Sequence, residues 1–220
     1  MNAGPPFVSA WAETDEELTD FRSRCGAALG VHFPLSYLKQ GRVRVFRDRG
    51  GQLVGGYALI LKGPFRTLAS IPDSAGFTPT FSESELFEVT ALWLDRAVPP
   101  GRFRTWVWWT FARDLATQPG KRWYVYSYDL RKKKKLGETF RAISRPRVLY
   151  EGPVKELEGM SGPSAEAVEL GSCFRVKLFP LLALPNLVVK LVFDRGRVRH
   201  LFRARDGARV TARDEARRDG

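Results

Sequence analysis

With 220 residues, 44% of them hydrophobic, the chain has the size and composition of one soluble globular domain with room for a small appendage. Its two cysteines, Cys25 and Cys173, stand in no metal spacing and exclude a disulfide framework, while two histidines, His32 and His200, argue against a histidine-rich metal site or a histidine-based triad, so no metal is expected. The net charge of +12 implies attraction to an anion, whether nucleic acid, a membrane face or a phosphorylated cofactor or substrate, unless it only reflects an arginine-rich composition.

Met1 to Ser9 lacks the charged start and apolar core of a signal peptide, and residues 1–11 read as a loose lead-in, so a reducing cytoplasm is the expected compartment. Thr14 before Asp15-Glu16-Glu17 is an N-cap signal. Leu18, Phe21, Cys25 and Leu29 follow at helical spacing up to Gly30. Pro34 to Gln40 suggests one or two further helical turns. Arg42 to Arg47 alternates, Asp48-Arg49-Gly50-Gly51 is a turn, and Gln52 to Leu61 completes a hairpin in which Gly55-Gly56 marks a bulge or a close backbone approach. Pro64 to Leu68 reads as a third strand, and Ile71 to Ser84 as a loop rich in Pro, Ser, Gly and Thr.

The densest information lies in 85–150. Glu85 to Leu94 is an apolar strand with a carboxylate, Glu88, near its start. Pro99-Pro100-Gly101-Arg102-Phe103-Arg104-Thr105 is a turn feeding a helix to about Gln118. Lys121 to Leu130 is a strand, Arg131 to Ile143 a helix carrying Lys132 to Lys135, and Arg147 to Tyr150 another strand. Strand, phosphate-binding turn, helix and strand is an order by which several folds hold a pyrophosphate. In the helix, the aromatic residues Trp106, Trp108, Trp109 and Phe111 read mainly as core, with an acyl-chain pocket as the functional alternative. Lys121, Arg122 and Arg131 to Lys135, interleaved with tyrosines, form a basic cluster. It suits a solvated face, a cradle for a phosphate, or nucleic acid.

Glu151 to Ala165 reads as a connector, Phe174 to Leu178 as a strand, and Val188 to Phe193 with Val198 to Phe202 as a hairpin. Leu178 to Phe193 is too broken by Pro180, Pro185, Asn186 and Lys190 to span a bilayer. Residues 195–220 carry nine arginines against four acidic residues. Apolar followed by basic suits a peripheral membrane contact, but a hairpin completing the sheet or forming a homodimer interface is the more conservative reading. The division expected is 1–152 as the main domain, 153–203 as a C-terminal β-rich extension, and 204–220 as a charged, disordered tail.

The element order over residues 12–152 resembles the GCN5-related N-acetyltransferase (GNAT) superfamily, an α/β fold with a mixed sheet flanked by helices. The resemblance implies that the strand Phe87 to Leu94 splays from its neighbour and that Leu92, Trp93 and Leu94 lie along the pantetheine arm of acetyl-CoA or a longer acyl-CoA, which pairs with the free edge like another strand. The family's Arg/Gln-x-x-Gly-x-Gly/Ala turn would be Arg102-Phe103-Arg104-Thr105-Trp106-Val107. Arg102 is in place, but Thr105 and Val107 replace the small residues that let backbone approach a pyrophosphate. Arg102 and Arg104 offer charge-assisted contacts instead, with Thr105 and Trp106 beside them.

The resemblance also implies catalytic roles. Glu88 matches the position of the general base, provided burial raises its pKa; otherwise it pairs with a sheet arginine such as Arg44. The family's tyrosine acid precedes a Lys-Leu-Gly end. Here Lys135-Leu136-Gly137 has no tyrosine before it, and Tyr128 is the nearest substitute among Tyr124, Tyr126 and Tyr128, which share one strand face. Asp129 stands where an asparagine often touches the cofactor. The expected activity is acyl transfer from acyl-CoA to an amine acceptor. The alternative is a non-catalytic protein of the same fold that binds nucleic acid or another anionic partner through its basic face.

Overall fold

Strict alternation along the strands decides which side chains meet which helix. The computed structural model describes residues 7–96, 98, 102–131, 141, 144–160 and 164–178. Its elements in order are β1 (Phe7–Trp11), α1 (Asp15–Leu29), α2 (Leu35–Leu38), β2 (Gly41–Asp48), β3 (Leu53–Ile60), α3 (Arg66–Ala69), β4 (Leu86–Leu94), α4 (Arg102–Ala116), β5 (Trp123–Asp129), β6 (Arg147–Pro153) and β7 (Ala165–Ser172). They build a seven-stranded mixed sheet of order β1-β2-β3-β4-β5-β7-β6, in which β4 and β5 are parallel and the other described neighbours antiparallel. No helix among the described residues is long and apolar enough to cross a membrane.

Two apolar layers form because β residues point alternately up and down. On one face Phe46, Tyr57, Phe87, Val89 and the three tyrosines of β5 pack against Phe103, Val107, Phe111 and Leu115 of α4. On the other, Val45, Ala58, Leu86 and Val125 pack against Phe21 and Cys25 of α1 and Tyr37 and Leu38 of α2. The caps of α1 are those the sequence signals. Thr14 accepts from the Glu17 amide and Gly30 closes the helix at φ 72°. Gly56 meets the expected close approach, since a Cβ there would sit 2.3 Å from the Arg44 carbonyl oxygen, and the β3–β4 register shifts just beyond it.

Five expectations need correction. Residues 7–11 are no lead-in but an edge strand on β2. Residues 66–69 are a helical turn, not a strand. The strand expected at Phe174 to Leu178 lies earlier, as β7, and 173–178 is helical. β7 sits between β5 and β6, so the sheet runs past residue 152. Glu88 is not paired with Arg44, whose Nε and Nη2 donate to Asp114 Oδ2 at 2.8 and 2.7 Å. The helix expected over 131–143 (Arg131 and Arg141 apart), the hairpin of Val188 to Phe202 and the tail lie outside the described residues.

The Arg44–Asp114 pair is buried, and Tyr57 Oη donates to the same carboxylate oxygen at 2.7 Å. Trp11 of β1 lies over the Arg44 guanidinium at 3.7 Å. Three elements, β2, β3 and α4, therefore share one charge. Asp114→Ala leaves a buried, uncompensated arginine and is expected to cost about 3–5 kcal/mol, read as a lowered urea midpoint at unchanged m.

Candidate functional site

β4 and β5 pair only through Leu86–Trp123, Phe87–Tyr124 and Glu88–Val125. Beyond Glu88 the strands part. Opposite β3, the register slips between Gly56 and Ala58 while β4 runs from Trp93 to Thr90, so β4 carries a bulge there. Ala91 lies at its centre with φ 54°, a region that costs a side-chain-bearing residue about 1–2 kcal/mol. Asp95 N–H donates to Val54 O at 2.8 Å, so strand alternation turns the amides of Leu94 and Leu92 toward the edge that β5 has left.

The gap is a cleft of about 290 Å³. Glu88, Thr90 and Leu92 of β4 face Tyr126, Ser127, Tyr128 and Asp129 of β5 across it, while Leu29 at the end of α1, Val31 and Phe33 just beyond it, Arg66 and Thr67 of α3, and Leu157 and Met160 close the remaining wall.

Glu88 is 1% exposed. Its Oε2 accepts from the Thr67 backbone N–H at 3.1 Å, and the Tyr37 hydroxyl also bonds to it. Burial pushes the Glu88 carboxyl above the usual carboxylate range, against the pull of the Thr67 amide, the Tyr37 and Thr67 hydroxyls and the Arg66 guanidinium. Tyr37 is itself raised, by burial and then by Glu88, and its oxygen accepts from the Arg66 N–H at 3.3 Å. A buried carboxyl with a raised pKa, lining a cleft, has the character of an acid–base group.

Tyr124, Tyr126 and Tyr128 stack in a row at 5.9 and 6.3 Å. Behind them lies Glu169 of β7, wholly buried. Tyr128 Oη donates to its Oε1 at 3.1 Å, Tyr126 Oη donates to its Oε2, and Arg141 pairs with Oε1 at 2.7 Å. Arg141 Nη2 also donates to Tyr128 Oη at 3.0 Å. Burial, then Glu169, pushes the Tyr128 hydroxyl up to about 12.

Of the residues singled out from the sequence, Glu88, Leu92 and Tyr128 come together at the cleft. Trp93 is buried on the α1 face beside Phe21, and Leu94 packs against the α4-side core. Arg104, Thr105 and Trp106 stand in the first turn of α4. Arg104 Nη2 donates to Val98 O at 3.1 Å, Thr105 is exposed, and Trp106 packs on Phe46 at 5.5 Å. Val107, in place of a small residue, is buried in the core rather than crowding the helix start. The Arg102 side chain and Lys132 to Lys135 lie outside what the structure describes. The basic cluster loses two described members to local tasks. Lys121 Nζ donates to the carbonyls of Leu61, Ser84 and Leu86 at 2.9, 3.0 and 2.7 Å, and Arg122 pairs with Glu85 at 3.4 Å.

Sequence reasoning missed Arg66, Thr67, Tyr37, Glu169 and Arg141. Arg66 and Thr67 sit in a stretch whose composition reads as strand, and no local pattern links Tyr37 to a residue 51 positions on. Glu169 carried one usable signal, a carboxylate at an inward position of an apolar run, Ala167-Val168-Glu169-Leu170.

No family model matches the chain, and no curated protein matches it in sequence. Solved structures match in shape. FeeM, an N-acyl amino acid synthase from uncultured soil microbes, superposes with a TM-score of 0.54 at 16% identity, over 81% of this chain and 97% of its own. The AHL synthase LasI gives 0.51 at 12% identity, over 74% and 89%. NAA60 of Arabidopsis thaliana, solved in complex with acetyl-CoA, gives 0.52 at 8% identity, over 75% and 98%.

The raised pKa of Glu88 has a consequence for stability. Below the ordinary carboxylate range both native and unfolded chains hold the proton. As pH rises past about 4.3, the unfolded chain releases its proton and the native chain keeps it, so stability falls until the native value is passed. Glu88→Gln removes this loss. Relative to the parent, the variant is expected to be more stable (a larger unfolding free energy) at pH 7.5 than at pH 4; a gap that does not change with pH would contradict a raised Glu88.

Proposed function

We propose that this chain, which has the fold of the GCN5-related N-acetyltransferases, transfers an acyl group from acyl-CoA to an amine acceptor. The observation that carries the reading is the coincidence of an unpaired β4 edge with a buried carboxyl in the same cleft. The edge suits an amide-bearing arm, which pairs with backbone as a strand does. The proposed place of the thioester is beside Leu92, which lines the cleft, with the Trp93 and Leu94 side chains turned into the cores on either face. The first turn of α4, with Arg102, Arg104, Thr105 and Trp106, is the proposed seat of the pyrophosphate, since helix N-terminal amides favour anions.

In this reading an ammonium acceptor gives a proton to Glu88, and the free amine attacks the thioester carbonyl. Glu88 passes that proton to solvent; as the C–N bond forms, nitrogen gives up a second proton to Glu88, the C–S bond breaks, and the departing thiolate takes a proton from a donor that solvent then reprotonates. Glu88 suits its part because burial lifts it toward the operating pH, where a base both accepts and releases a proton. Tyr128 is the proposed donor to the thiolate. Its hydroxyl, at about 12, is protonated throughout the neutral range, and Arg141 at 3.0 Å stabilises the phenolate. In the resting arrangement that proton points to Glu169, so donation requires the hydroxyl to turn.

Thermal denaturation with CoA, acetyl-CoA and a long-chain acyl-CoA tests the binding half. A saturable rise is expected, worth about 2.7 kcal/mol at a hundredfold excess over Kd, and smaller in Arg102→Ala. No shift with any of the three overturns the reading. Acyl transfer, followed as released thiol, tests the chemical half. Glu88→Gln is expected to lower kcat/KM by about 10²–10⁴-fold while the acyl-CoA shift persists. Tyr128→Phe should lower kcat by about a hundredfold; full turnover in that variant would assign proton donation elsewhere.

A further inference from the structure

The cleft has more in it than the chemistry of acyl transfer uses. Arg66 lines it beside Glu88. Its guanidinium lies 5.9 and 5.5 Å from the rings of Phe33 and Tyr37, which orient the planar fork. Its Nη2 donates to the Glu158 carbonyl, and no carboxylate among the described residues lies within ion-pair distance of it. The Glu158 contact belongs to a turn seated over the cleft. His32 N–H donates to Gly159 O at 2.8 Å, Val31 bridges Met160, and a Cβ on Gly159 (φ 81°) would collide with the His32 carbonyl. Arg66 therefore looks at first like a strut for that turn.

A strut does not need a full charge. A cation in a cleft with only a neutral protein acceptor retains most of its capacity for a carboxylate, and a guanidinium matches a carboxylate in two parallel hydrogen bonds. Three further observations define the ligand. Arg66 is within electrostatic reach of Glu88, so at that end a carboxylate beside the amine is favoured and a second ammonium is repelled. At the β5 end, Asp129 and Glu166 line the cleft, so a carboxylate is repelled there and directed to the Arg66 end. Between the two ends Leu29, Val31, Phe33, Leu157 and Met160 form an apolar wall. The cleft, about 290 Å³ and already at the lower end for ligand sites, holds the thioester end of the acyl-CoA as well, so what is left suits only a small acceptor.

We infer that the acceptor is a small amino acid with an apolar side chain, its amine toward Glu88, its carboxylate paired with the Arg66 guanidinium and its side chain against Leu29, Val31 and Phe33. The inference rests on the acyltransferase reading and narrows its acceptor from any amine to one that carries a carboxylate. Arg66 is then a specificity-determining residue.

The experiment measures kcat/KM for the full chain with one stabilising acyl-CoA and three acceptors: leucine, 3-methylbutylamine (leucine without its carboxylate) and spermidine. Leucine is expected to exceed 3-methylbutylamine by about 10–100-fold, the worth of a charge-assisted hydrogen bond to the carboxylate, and spermidine to be the poorest. Arg66→Gln is expected to collapse the leucine-to-amine ratio by tenfold or more, and Arg66→Lys to restore part of it. A strut alone lowers both rates and leaves the ratio unchanged, which would overturn the inference. So would equal use of leucine and the amine by the parent chain, or transfer to spermidine alone. Stabilisation by acyl-CoA without transfer to leucine also overturns the acceptor class while the donor site stands. Absence of both stabilisation and transfer overturns the acyltransferase reading itself. A matched thermal midpoint for Arg66→Gln and the parent, both without ligand, confirms that the ratio reports the site and not the fold.

Discussion

Everything at the candidate site depends on β4 and β5 separating after three paired residues. Had the pairing continued, the backbone groups of β4 would be spent on β5 and no cleft would exist. Two features hold the strands apart. The bulge at Ala91 turns β4 away from a regular ladder at the cost of an αL residue. β5 in turn takes its order from its other edge, where all seven of its residues, Trp123 to Asp129, pair with β7. With that edge paired throughout, β5 keeps its strand geometry beyond the point where β4 leaves it.

The closed end of the divergence is as well defined as the open one. Lys121 Nζ gathers the carbonyls of Leu61, Ser84 and Leu86 just before β5 begins, tying β4, the residue after β3 and the approach to β5 at one point. Burial pulls the Lys121 ammonium below its ordinary pKa, in keeping with a cation used as an internal clamp rather than a surface charge. On the α4 face, Arg44, Asp114 and Tyr57 bind helix to sheet in the same manner. A chain with a net charge of +12 thus commits several of its cations to architecture, which weakens the link between overall basicity and an anionic macromolecular partner.

Much of this architecture was legible in the sequence because it follows local rules. The caps of α1, the β2–β3 hairpin and the strand–turn–helix–strand order from β4 to β5 each arise from spacing within a dozen residues. Glu88 stood out because it is a carboxylate in an apolar strand and matches the position of the family's base, and the structure puts it on the cleft wall. What failed was nonlocal. β1 has only five residues and exists because β2 offers it an edge; β7 is an apolar run interrupted by Glu169, a carboxylate that is accommodated only once Tyr126, Tyr128 and Arg141 are brought against it. Arg66 and Tyr37 could not be found at all, since their relation to Glu88 is created by α2 and α3 folding onto the far face of the sheet. The misassigned partner of Arg44 has the same origin: two residues of a sheet, Arg44 and Glu88, are nearer in pattern than in space, and a helix supplied the carboxylate instead.

The two wholly buried carboxyls of the sheet show why only one of them is suited to proton transfer. Glu169 has its oxygens taken by Tyr126, Tyr128 and a cation, Arg141, whose guanidinium lies at ion-pair distance. Glu88 lies across the cleft with a backbone amide and neutral hydroxyls as its hydrogen-bond partners and no cation at contact distance among the described residues. Its charged form is penalised by burial and only partly repaid by those bonds, so the energies of its two protonation states are brought closer together. A shift in that direction is what a group needs to take a proton and give it back. The same sheet therefore fixes one carboxylate as a structural anchor behind the tyrosine wall and leaves the other poised at the cleft, and the difference lies in whether an arginine reaches it.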